Sequence, residues 1–176
     1  MLYALVILAT ASRLLPHPPN FACIAATGLV AGCYLRGWRA LAVPMLAMLI
    51  SDVIGHVLRL DGMGFYNPLM MAAVYIAIAS SVWFGRTLKV SRSLPRLVTA
   101  SFAMSTMFFI LSNAAVWASG FYSIDFAGMT KCYAAALPFF QYTVAGDLCF
   151  SGLVFAAVEL SQSRVGVRRL QLQVAL

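Results

Sequence analysis

Asp52 and His56 stand four residues apart, as do Asn113 and Trp117, and both pairs lie in runs that otherwise carry almost no polar residues. On a helix that spacing puts the members of a pair on one face, one turn apart. A carboxylate near an imidazole in apolar surroundings is how proton transfer is tuned, so an intramembrane acid-base enzyme using Asp52, His56 and Asp147 is one reading. Asp52 with His56 also has helical metal-ligand spacing, but two ligands fall short of a site and no His or Cys cluster completes one, so neither metal nor cofactor is expected. A plainer reading has Asp52 and Asp147 pairing with Arg13 or His56 to hold helices together. The chain has no Gly-x-x-x-x-Gly-Lys-Ser/Thr phosphate loop, no Gly-x-Ser-x-Gly elbow and no His-Glu-x-x-His helix, which excludes ATP hydrolysis with these parts.

The elements that must position these groups are membrane helices. Only 10% of the 176 residues are charged and 62% are apolar, with a mean hydropathy of +0.90, so no water-facing shell can be drawn around a soluble core. Crossing about 30 Å of hydrocarbon takes roughly 17 to 25 helical residues. Six apolar runs are marked off by charged or Pro/Gly-rich breaks: Met1 to Leu15, Phe21 to Leu35, Ala40 to Leu58, Tyr66 to Phe84, Leu97 to Ser119, and Ala134 to Leu160. The fold expected is an all-α, polytopic bundle of six transmembrane helices over residues 1–160, followed by a basic tail over 161–176. Met1 to Leu15 is read as a span rather than a signal peptide, despite the small residues Ala9 and Ala11, because it lacks a basic n-region.

Charge sets the orientation. Six crossings put Arg36 and Arg39, then Arg86, Lys89, Arg92 and Arg96, then Arg164, Arg168 and Arg169 on the side of the termini. The other side keeps Arg13, Arg59 and Lys131, with Asp61 and Asp125. The positive-inside rule makes both termini cytoplasmic and the protein a multi-pass component of the inner membrane. The net charge of +7 then reflects topology and attraction to anionic lipid, and no nucleic-acid partner is expected.

With that orientation Arg13, Asp52, His56, Asn113 and Trp117 gather in the outer half of the bundle, with Asp147 beneath them. Pro16, Pro18 and Pro19 forbid a helix between the first two runs and favour a stiff extended segment. Phe65, Tyr66, Phe121 and Tyr122 sit in outer connections, as interface anchors or as a lid. Gly28 and Gly32 form a small-xxx-small pattern that suits close helix packing or, less simply, a partner-binding face. Cys23, Cys33, Cys132 and Cys149, at no metal-like spacing, read as packing residues, as do the methionines.

The runs Ser12 to Phe21, Val43 to Asp52, Phe109 to Asn113 with Val116 and Trp117, Cys132 to Phe140, and Gly146 with Asp147 resemble a family of small uncharacterised bacterial membrane proteins. That family is itself similar, in helix number and layout, to the S components of energy-coupling-factor (ECF) vitamin transporters. The resemblance implies an outward-facing small-molecule pocket and, as partners, a membrane scaffold subunit with cytoplasmic ATPases. It gathers Arg13, His17, Asn20, Asp52, Asn113, Trp117, Tyr133, Phe139, Phe140 and Asp147 on the outer side. One departure is that Ala4, Ala9 and Ala11 lack the i, i+4 spacing through which S components dock. The leading expectation is an uptake or binding protein in which Arg13 and His17 meet an anionic group. Asn20, Asp52, His56, Asn113 and Asp147 add polar contacts, and Trp117 and Tyr122 cover the ligand. The alternative is an accessory subunit of a larger membrane complex, binding lipid or pigment and docking through Gly28 and Gly32.

Overall fold

The computed structural model describes residues 1–60 and 63–174, with side chains to residue 162. The expectation placed on Asp61 lies outside the described residues, and those placed on Arg164, Arg168 and Arg169 of the tail lie outside the described side chains. Six α-helices account for most of the chain: α1 (Leu2–Leu14), α2 (Ile24–Tyr34), α3 (Trp38–Leu58), α4 (Pro68–Thr87), α5 (Leu94–Val116) and α6 (Phe126–Val174). There is no strand among the described residues. A π-helical turn, Trp117–Phe121, closes α5, and Gly120 at φ 82° supplies the left-handed backbone that ends it.

Four segments are long and apolar enough to cross a membrane: Trp38–Leu58, Pro68–Thr87, Leu94–Phe121 and Phe126–Gln162. The protein is thus a helical membrane protein. With 13 and 11 residues, α1 and α2 reach only about 20 and 17 Å at 1.5 Å per residue. Expected starts and ends agree closely with the observed ones except in the sixth run. That helix begins at Phe126 rather than Ala134, because Asp125 caps it and Pro138 lies inside it. An interior proline removes one backbone bond, a loss that membrane helices tolerate.

Successive helices run in opposite directions. Arg13 at the end of α1 meets Ser51 and Asp52 late in α3, while Cys23 before α2 meets Leu8 and Ser12 of α1. On the other side Ser105 of α5 meets Asp147 of α6. The centre of the bundle is α2, buried from Ile24 to Cys33 and apolar on every side. Glycines let it approach α4. A Cβ on Gly28 would strike the Ser81 side chain, one on Gly32 the Val82 carbonyl, and one on Gly85 of α4 the Leu29 carbonyl. Such small-residue contacts replace the hydrophobic effect, which has no hold between helices in lipid.

One end of the bundle carries the connections with Arg36, Arg39, Arg86, Lys89 and Arg96. There Arg92 donates to Glu159 at 2.8 Å and lies 4.6 Å from the centre of the Tyr34 ring, and the Tyr34 hydroxyl donates to the same carboxylate oxygen. Thus the α4–α5 connection is tied to α2 and α6. The opposite end holds Arg13, Asp52 and a cavity.

Candidate functional site

The cavity follows from the prolines. Pro16, Pro18 and Pro19 keep the chain out of helical conformation until Cys23, so α2 fills only the half of the bundle nearer the basic connections. The connecting segment is fixed as it crosses. Cys23 N–H donates to Ser12 Oγ at 3.1 Å, Phe21 N–H donates to the Pro18 carbonyl at 3.0 Å, and the Phe21 ring meets Phe150 edge-on at 5.3 Å. Asn20, at φ 63°, takes the left-handed conformation that this turn requires, one that Asn tolerates better than most residues.

The space above α2 is a cavity of about 160 Å³. Its walls are Ile24 and Ala25 from α2, Met48 from α3, Val74, Ala77 and Ile78 from α4, and Met104 and Phe108 from α5. Its polar lining is Arg13, Asn20, Tyr66, Thr143 and Asp147. A second cavity of about 130 Å³ shares Asn20, Phe108 and Thr143 with the first and is otherwise lined by Phe109, Ser112, Asn113, Ala136, Phe139 and Phe140. Phe109 and Phe140 stack there with ring centres 4.8 Å apart. At the end remote from the basic connections Arg13, Asn20 and Ala22 also line an open depression with His17 and Met63. The segment from Arg13 to Ala22 is therefore the wall between the mouth and the interior.

Two carboxylates stand at this space in different states of satisfaction: Asp147 lines it, and Asp52 lies behind the lining Arg13. Asp52, 1% exposed, accepts from Arg13 Nη1 at 2.5 Å and from the Tyr75 hydroxyl at 2.8 Å. The same Nη1 donates to Ser51 Oγ at 2.7 Å. A buried ion pair needs such extra hydrogen bonds to offset desolvation. Asp147, 3% exposed, has no ion-pair partner among the described residues. Its Oδ2 lies 2.6 Å from Ser105 Oγ, which is also 3.0 Å from the Ser101 carbonyl.

Arg13, Asn20, Asp52 and Asp147 thus come together around the cavity. His17 does not enter it. Its ring nitrogens lie 2.7 Å from the Pro18 carbonyl and 3.2 Å from the Arg13 carbonyl, at the mouth. His56 is exposed and meets Phe65 edge-on at 5.4 Å, so it and Asp52 have different surroundings. Among the described residues no three His, Cys, Asp or Glu side chains converge on a metal position. Asn113 lines the second cavity and donates to the Phe109 carbonyl at 2.7 Å. Trp117 donates to the Ser123 carbonyl at 3.0 Å, and with Tyr122 it belongs to the α5–α6 connection. Gly28 and Gly32 are covered by α4. Tyr66, expected as an interface anchor or lid, lines the cavity, and Ser51, Tyr75, Ser105 and Thr143 complete the site and were not singled out by the sequence. Only the i, i+4 spacing of Ser101 and Ser105 hinted at a polar face.

No curated protein and no solved structure matches this chain. The sequence profile of DUF6580, a family of unknown function, matches residues 1–171, and the chain belongs to that family.

Proposed function

We propose that the chain is a bacterial inner-membrane protein that binds a small molecule in an outward-facing cavity, in the manner of an S component of an ECF transporter. All six helices cross or enter the bilayer, and the basic end with Arg36, Arg39, Arg86, Lys89, Arg92 and Arg96 faces the cytoplasm by the positive-inside rule. A scaffold subunit with ATPases supplies the energy this chain lacks. One observation carries the reading: a cavity at the end remote from the basic connections, lined by the arginine of the Arg13–Asp52 pair and by a buried carboxyl, Asp147, that has no cation among the described residues. Ionisable groups inside a bilayer are costly, and a cavity with a few convergent polar groups on apolar walls is how small molecules are held.

The competing readings find less support. An accessory subunit loses the Gly28–Gly32 docking surface, since α4 of the same chain fills it. An acid-base enzyme needs His56 beside Asp52, and the ring packs instead on Phe65.

Native mass spectrometry of the chain, extracted mildly from its own membrane, tests the reading. We expect a retained small molecule in the wild type and its loss in Val74→Trp, which fills the cavity without touching the ion pair. Stoichiometric partner subunits with no small molecule would favour the accessory-subunit reading instead.

A further inference from the structure

The ionisable groups that line the cavity are not all paired. Arg13 is neutralised by Asp52, and Tyr66, Tyr75, Asn20 and Thr143 are neutral ligand-facing or supporting groups. The helices packed on α6 at Asp147 are α2 and α5. They bring Ile24 and Ala25 from one and Ser101 and Ser105 from the other, with no charged group. Asp147 is the lone unpaired ionisable carboxyl lining the cavity among the described residues.

Its hydrogen bonding bears on where a proton sits. Ser105 has one hydroxyl proton and two acceptors within reach, the Ser101 carbonyl at 3.0 Å and Asp147 Oδ2 at 2.6 Å. Ser105 serves both acceptors either by sharing its one proton between them or, with two full hydrogen bonds, by donating to the carbonyl while a protonated Asp147 donates to Ser105 Oγ. In apolar surroundings the second arrangement spares the cost of a buried unpaired charge, and Asp147 is taken as a carboxylic acid when no ligand is bound. The partial positive charge at the start of α2, about half an elementary unit, falls short of the full charge on an ionised Asp147.

From this we infer that the ligand is an organic cation, a small molecule with a protonated amine that pairs with Asp147 and an apolar or aromatic body that extends past Phe108 into the second cavity. The inference rests on the binding reading above and gives it a ligand class opposite to the anionic group expected of Arg13 and His17. On binding, the acid gives up its proton to solvent and becomes a carboxylate facing the ammonium, and Ser105 turns its own proton toward Oδ2. One charge enters and one proton leaves, so the cavity stays neutral. The aromatic second cavity, with Phe109 against Phe140, offers ring faces that suit a cyclic body.

The test uses the full chain in lipid nanodiscs and three probes matched in ring and length: 2-phenylethylamine, 2-phenylethanol and 3-phenylpropanoate. Calorimetric titration at pH 6 and pH 8 is expected to rank the amine first. Its affinity should rise toward tenfold per pH unit wherever one proton is exchanged per ligand. Asp147→Asn keeps a group for Ser105 to bond, so it should fold, lose the pH dependence and reduce amine affinity at least about tenfold, roughly one pKa unit of interaction, with the alcohol unchanged. Unfolding midpoints of wild type and variant check the fold. Preference for the carboxylate, equal binding of all three probes, no binding of the amine, or an amine affinity indifferent to Asp147→Asn overturns the inference. If a small molecule without an amine is still retained in the native mass spectrum, the binding reading survives that failure; if no molecule is retained and no probe binds, both fall.

Discussion

Arg13 and Asp52 illustrate how strongly depth alters the worth of an ion pair. Their side chains are 14% and 1% exposed, and each has a second hydrogen-bond partner, Ser51 or Tyr75. Removing one partner strands a buried charge, which costs about 3–5 kcal/mol. We expect Arg13→Met and Asp52→Leu each to lose that much in reversible unfolding from detergent, and the double variant to lose much less than their sum. Additive losses would show that the pair is not coupled in the folded protein. Arg92 and Glu159, 44% and 47% exposed, set the contrast: Glu159→Gln should cost no more than about 1 kcal/mol. The partnership is also what the sequence left open, since Arg13 was equally able to reach Asp52 or Asp147 by position alone.

At the scale of elements, the short α2 is the decisive feature. Three prolines delay its start, and glycines bring its backbone against α4. Gly28 and Gly32 respond differently to an added methyl group. At Gly28 the obstacle is the Ser81 side chain, which has another rotamer to adopt, whereas at Gly32 it is the Val82 carbonyl and the Gly85 backbone, which cannot yield without moving a helix. Gly32→Ala should therefore destabilise by about 1–3 kcal/mol, more than Gly28→Ala, in the same unfolding assay. Equal losses would mean that the helices are not in backbone contact there.

The start of α6 depends on a single carboxylate. Asp125 Oδ1 accepts from the Gly128 N–H at 2.6 Å and from Ser123 Oγ at 2.9 Å, and these bonds hold its carboxyl below the ordinary value of 3.8. A lowered carboxylate pKa stabilises the fold above that ordinary value, and the contribution disappears as the pH falls through the folded one. Amide exchange at Gly128, followed into acid, should accelerate in that window for the wild type. In Asp125→Ala, which has no side-chain acceptor, exchange should be fast throughout and lack that step. The missed start of this helix has the same origin: Asp125 with Gly128 is a cap, but the charged Lys131 marked the break and placed the expected start at Ala134.

The whole molecule is polarised, with basic connections at one end and the cavity at the other. Labelling with a membrane-impermeant thiol reagent on intact spheroplasts should modify Ser123→Cys and spare Ser91→Cys, with lysis exposing the latter. The reverse pattern would invert the bundle and turn the cavity toward the cytoplasm. Helix number, the limits of the first five helices and the apolar character of the runs were legible in the sequence. Each is a local quantity: hydropathy, helix-breaking residues and loop charge accumulate along a stretch of chain without reference to any other stretch. The prolines even announced that the stretch between Leu15 and Phe21 would not be helical, although α2 begins three residues later than expected, at Ile24. What they left behind, a cavity in place of half a helix, appeared only when the other five helices closed around it. Choosing Asp52 for Arg13, pairing Ser105 with Asp147, and turning His56 and Trp117 away from the cavity are tertiary decisions. They depend on distances of a few ångströms between helices far apart in the chain. Helix packing sets those distances, and a one-dimensional pattern of residue types does not encode them.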